Sequence, residues 1–155
     1  MTAPVVIGVG NEYRRDDGVG PALVAALRRQ PPPGVRLVVS DGEPAGLIEE
    51  WAGAPLAVVV DAVLCDPPAP GAVHRTELVA SAGALRPAAA SSHSLGIPDA
   101  LRLGRALERV PDRLVVYAVE AQDVDFGTDL SGPVTTALPG LVDAVLAELA
   151  QPGAR

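Results

Sequence analysis

The stretch Leu56-Ala57-Val58-Val59-Val60-Asp61-Ala62-Val63 constrains the fold more than any other part of this sequence. It is a continuous apolar run with one acid in it, and it shows none of the alternation of a strand with one wet face. Such a run reads as a strand, within Pro55 to Val63, that is buried on both sides. Strands of this kind belong to parallel sheets whose two faces are covered by helices. The rest of the chain supplies matching elements. Val5 to Val9 reads as a first buried strand, and Val19, Leu23, Val24 and Leu27 follow at helical spacing in a helix spanning Pro21 to Arg29. Pro31-Pro32-Pro33-Gly34 ends that helix. Val35 to Val39 makes a second strand, closed by Asp41-Gly42, and Gly46 to Ala52 a short helix. Val73 to Leu78 alternates poorly and reads as a weaker edge strand. A helix begins near Leu95, with Pro98 in its first turn. Leu114 to Val119 is a last strand. Val134, Leu138, Leu141, Val142, Val145 and Leu149 mark an amphipathic C-terminal helix.

At 155 residues the chain fits one domain over 1–155, with 48% hydrophobic residues to fill a core and only 3% aromatic ones. There is no internal repeat. The net charge of −7 argues against nucleic acid as a partner. No apolar run approaches a membrane span of roughly 20 residues, so no membrane is expected. Met1-Thr2-Ala3-Pro4 lacks the basic region of an export signal. A single cysteine, Cys65, forms no internal disulfide, and together these features lead to an expected cytoplasmic location.

In an open parallel sheet, ligands sit at the carboxyl ends of the strands, which directs attention to Gly8-Val9-Gly10-Asn11-Glu12-Tyr13-Arg14-Arg15-Asp16-Asp17-Gly18-Val19-Gly20. A dinucleotide fingerprint fails here because Tyr13 stands where the third glycine belongs. A P-loop fails because the chain has no lysine. Two aspartates at a helix start repel phosphate, whereas the positive end of the helix keeps them ionised. They suit either an N-cap or a cation ligand.

Asp61, late in its buried strand, needs a partner or a cation unless the strand reaches solvent there. Asp41 holds the same relative place after the second strand, where an Asp-Gly turn also accounts for it. Of the two histidines, His74 lies in the weak strand with no carboxylate cluster beside it and reads as structural or surface. His93, in Ser91-Ser92-His93-Ser94, is either a helix-start residue or a ligand. Cys65 is a poor nucleophile candidate. Were Asp17, Asp61 and His93 to converge, two oxygens and one imidazole would form an open-sided site for a borderline divalent metal.

In these motifs the sequence resembles the hydrogenase maturation proteases, which process the large subunit of [NiFe] hydrogenases. Gly8-Val9-Gly10-Asn11 followed by Asp16-Asp17-Gly18-Val19-Gly20 resembles the family's opening pattern, although many members carry Glu where Asp17 stands. Asp41-Gly42 with Ala45-Gly46-Leu47, Asp61-Ala62, and Ser91-Ser92-His93-Ser94-Leu95-Gly96 follow in order. The stretch from Val119 to Val134 resembles the closing segment.

The resemblance implies a three-layer α/β/α sandwich with a five-stranded, mostly parallel twisted sheet. It implies Asp17, Asp61 and His93 as metal-contacting residues, Asp17 and Asp41 as catalytic ones, and Asp16 as support or cap. The implied reaction is one endoproteolytic cut that removes a C-terminal extension from the large-subunit precursor. The nickel is supplied by that substrate, and no permanently bound cofactor is expected. A non-cleaving, nickel-sensing chaperone would use the same ligands, and a peptidase with its own zinc is a third reading.

Overall fold

The computed structural model describes residues 3–79 and 96–151. Among these residues five strands form one sheet: β1 (Val5–Val9), β2 (Arg36–Ser40), β3 (Ala57–Val63), β4 (Val73–Val79) and β5 (Arg113–Glu120). The helices are α1 (Val19–Arg29), α2 (Pro44–Trp51), α3 (Gly96–Ala106) and α4 (Gly132–Ala150), with a short 3-10 turn, Arg15–Gly18, leading into α1. The strand order is β2-β1-β3-β5-β4. All neighbours are parallel except β4, which runs antiparallel to β5 at the edge.

β3 is buried along its whole length, as its unbroken apolar run requires. Val58, Val60 and Ala62 face one side with Val6, Val115 and Tyr117, under Leu23 and Leu27 of α1 and Leu141 and Val145 of α4. Ala57 and Val59 face the other side with Val5 and Ile7, under Leu47 and Trp51 of α2 and Ile97 and Leu101 of α3. The result is the three-layer α/β/α sandwich with a mostly parallel sheet.

One expectation needs correction. It is that no segment approaches membrane-span length, since α4 is 19 residues long and apolar enough by composition. Its Val134, Leu141 and Val145 are buried in the core, however, and its Glu148 carboxylate accepts from Arg75, Arg113 and the Tyr117 hydroxyl. α4 is therefore a core helix fastened to the sheet. β4 is the edge strand that its poor apolar alternation indicated, and its charged side chains are used across the sheet. Arg75 bonds Glu77 as well as Glu148, and Arg113 on β5 bonds both acids too.

Two glycines set how closely α1 lies on the sheet. A Cβ on Gly8 would stand 2.2 Å from the Gly20 carbonyl oxygen, and one on Gly20 would stand 2.5 Å from the Val9 nitrogen and 2.7 Å from the Val60 carbonyl oxygen. The helix start thus rests directly on the β1 and β3 backbones. After β1 the chain moves outward to β2, then returns to β3 and builds the sheet in the other direction. β1 and β3 therefore flank the topological switch point, where a crevice opens at the strand ends.

Candidate active site at the switch point

Of the acids singled out in the sequence, Asp61 and Asp17 lie together at this crevice. Register places Gly8 opposite Val60, so Asp61 stands one residue further along, level with the end of β1. The Asp61 side chain is buried, 2% exposed, and its Oδ1 accepts the Ala62 N–H at 2.8 Å. Burial pushes its pKa up to about 8; the Ala62 N–H partly offsets this, and the Asp17 carboxylate adds to it. The acid in an apolar run is therefore not where the strand reaches solvent.

Asp17 is also buried, and its Oδ2 accepts the Asn11 N–H at 3.0 Å. Asn11 braces the turn a second time, its Oδ1 accepting from the Tyr13 N–H. Gly10 has φ of 138°, and a Cβ there would lie 1.8 Å from the Asp17 carbonyl oxygen. Only glycine lets the turn close over Asp17.

Neither aspartate caps α1, whose N-cap is Gly18 with no side-chain cap. Asp16 is fully buried and serves the closing segment instead. Its Oδ2 accepts from the Gln122 and Asp123 N–H groups and the Ser131 hydroxyl, and its Oδ1 from the Ser131 N–H. The support role expected of Asp16 is thus a clasp between the first turn and the segment before α4. The adjacent Asp-Asp pair carried no sign of that distant partner.

Asp41 is exposed in the turn after β2, where its Oδ1 accepts the Glu43 N–H at 3.0 Å. Ser40, just before it, pairs with Val9, and its carbonyl accepts from the Gly10 N–H at 3.0 Å. The Asp41 turn therefore adjoins the Gly10 turn. Glu43, not singled out in the sequence, caps α2 by accepting from the Ala45 and Gly46 N–H groups. His93 lies outside the described residues. Among those described, no group of three or more His, Cys, Asp and Glu side chains is arranged to hold a metal.

His74 is part-exposed and pairs with one carboxylate, in keeping with a structural or surface residue: its Nε2 is 2.5 Å from Oε2 of buried Glu120. Antiparallel pairing of β4 with β5 makes this contact, which sequence distance concealed. His74 and the Ala69 N–H hold Glu120 below the usual carboxylate range. Burial and Glu120 push the Cys65 thiol up, the opposite of what a nucleophilic cysteine needs.

The fold and this crevice define an α/β protein with two buried acids at its switch point, a setting for cation or water chemistry rather than nucleotide binding. Residues 21–148 match the family described as hydrogenase maturation protease. The chain belongs to that family and is a peptide-bond hydrolase, an endopeptidase of hydrogenase maturation.

It is 30% identical over 152 residues to the hydrogenase expression/formation protein HupD of Thiocapsa roseopersicina, covering 96% of this chain and 68% of that one. It is 28% identical over 153 residues to the hydrogenase 2 maturation protease of Escherichia coli strain K12, covering 96% and 92%. In structure it is similar to the hydrogenase maturating endopeptidase HybD of E. coli, with a TM-score of 0.78 at 23% identity over 96% of this chain and 92% of that one. The [NiFe] hydrogenase maturation protease HybD of Thermococcus kodakarensis has the same fold, with a TM-score of 0.70 at 23% identity over 97% and 100%.

Proposed function

We propose that this endopeptidase removes the C-terminal extension of a nickel-loaded [NiFe] hydrogenase large-subunit precursor in the cytoplasm. The substrate's own nickel is the recognition feature, and the enzyme needs no permanently bound cofactor. The observation that carries this reading is the interaction of two buried carboxylates, Asp17 and Asp61, at the switch point. A divalent cation arriving beside such a pair is attracted by both carboxylates. Asp61 shares its sheet face with Val59, which packs with Ile97 at the start of α3. His93 stands three residues before Gly96, where α3 begins, and it is the third ligand in this reading.

Asp17, Asp61 and His93 grip the nickel and so fix the bond to be cut. Asp17 or Asp41 takes a proton from water as the water oxygen adds to the carbonyl carbon. The C–N bond then breaks, and the proton passes to the departing amine.

The test is to incubate the protein with nickel-loaded and nickel-free precursor and follow the precursor's mass. Shortening of the loaded form alone is expected. Persistence of the loaded precursor at full length overturns cleavage, and stable binding without cutting would make the protein a chaperone. Cleavage without nickel overturns the recognition role.

A further inference from the structure

The chain has few aromatic residues, and they are used in two ways. Trp51 and Tyr117 are buried, whereas Tyr13 is 63% and Phe126 85% exposed. The two exposed rings belong to two loops joined backbone to backbone. Gly127 N–H donates to the Tyr13 carbonyl, Arg15 N–H to the Gly127 carbonyl, and Asp16 N–H to the Asp123 carbonyl. Arg14 donates through Nε to the Val124 carbonyl at 3.0 Å, and its guanidinium lies 5.9 Å from the centre of the Phe126 ring. The four bonds to the Asp16 carboxylate fasten the same loops. Tyr, Arg and Phe are thus presented to water on a pre-organised platform. Aromatic residues and Arg are enriched at protein–protein interfaces, and Tyr and Arg among the residues that carry binding energy.

These loops also form one wall of a groove of about 450 Å³, through Glu12, Arg15 and Leu130. The groove begins at Gly18, the residue after Asp17, and follows α1 past Ala22 and Ala25 to Arg28, with exposed Val39 of edge strand β2 also lining it. Gly18 to Arg28 covers roughly 15 Å of helix, the length of about four or five extended residues. The small side chains leave width for a backbone, and Val39 and Leu130 offer apolar contact. Arg15 pairs with Asp123 at 3.6 Å at the end that Glu12 also lines, so the positive charge for a ligand is supplied at the other end by Arg28, whose Nη2 also donates to the Leu37 carbonyl.

We propose that the Tyr13–Arg14–Phe126 platform and the α1 groove seat the C-terminal segment of the precursor in extended form, with an acidic side chain of that segment at Arg28. This inference rests on the proposed function and adds the surface through which the substrate is held. Tyr13 and Phe126 act in binding and not in bond cleavage.

The test compares the whole protein with Tyr13→Ala, Phe126→Ala and Arg28→Glu, using the nickel-loaded precursor, and with Leu107→Ala as an exposed control at the end of α3. Phe126→Ala and Tyr13→Ala are expected to raise KM about tenfold with kcat and Tm unchanged. Arg28→Glu raises KM by a factor that shrinks as salt is added. KM values equal to that of Leu107→Ala overturn the proposal.

If the unaltered protein binds the precursor without cutting it, the protease reading fails and the affinity series decides the surface. A loss of about tenfold on Phe126→Ala sustains it, and unchanged affinity overturns it. If the unaltered protein does not bind the precursor at all, both readings fall. A dimer of this chain that Phe126→Ala dissociates assigns the platform to a second copy and overturns the proposal.

Discussion

At the residue scale, Asp61 sets stability against function. Its pKa of about 8 in the fold exceeds the ordinary 3.8, so the folded protein holds a proton that the unfolded chain has lost. Its contribution to stability is therefore full below about pH 4 and is lost as pH rises through 8. Asp61→Asn should accordingly raise Tm by about 5 °C or more at pH 9 and change it little at pH 4, as calorimetry at the two values would show. The same proton must leave before the carboxylate can hold a cation. Cleavage of loaded precursor should therefore strengthen between pH 6.5 and 8.5, measured as kcat/KM, and Asp61→Asn should abolish it. The sequence showed the acid in an apolar strand but not its proton, because the pKa arises from burial and from Asp17, 44 positions earlier.

At the scale of elements, the α4–sheet contact is ionic within an apolar layer. Glu148 is buried on α4, and Arg75, Arg113 and Tyr117 meet its carboxylate from β4 and β5. Glu148→Ala leaves the Tyr117 hydroxyl without its acceptor and Arg75 and Arg113 with Glu77 alone, and should cost about 2 kcal/mol in chemical denaturation, the exposed Arg75 limiting the loss. Glu77, held down to about 2 by Arg113 and Arg75, contributes stability above pH 4.5 that is lost as pH falls through 2. Acid unfolding should thus begin near pH 4, with Glu77→Gln flattening the profile. Apolar periodicity found α4 and located every strand to within two residues. It missed Glu148, since a charge within an apolar stripe declares no partner. Helix starts fell within the same margin: α2 begins at Pro44, two residues before the expected Gly46, because Glu43 caps it.

At the scale of the whole molecule, the fold was largely legible because a doubly wound sheet follows from element order and from one strand buried on both faces. The crevice was legible only as a place. Strand ends pointed to Asp17, Asp41 and Asp61, but their roles came from resemblance, and the long-range clasp of Asp16 had no local signature. The contact of α1 with β1 and β3 makes Gly20 a point of little tolerance. Gly20→Ala would drive a methyl into the Val9 and Val60 backbones, and a loss of about 2–4 kcal/mol is expected from denaturant titration. The Asp16 clasp has a consequence in time. Its partners are 106 to 115 residues further along the chain, so during synthesis the first turn waits, unfastened, until Ser131 has left the ribosome. A nascent chain carries Asp17 and Asp61 long before it can hold the loops around them in place, so the site takes shape only after the segment that leads into α4 has been made.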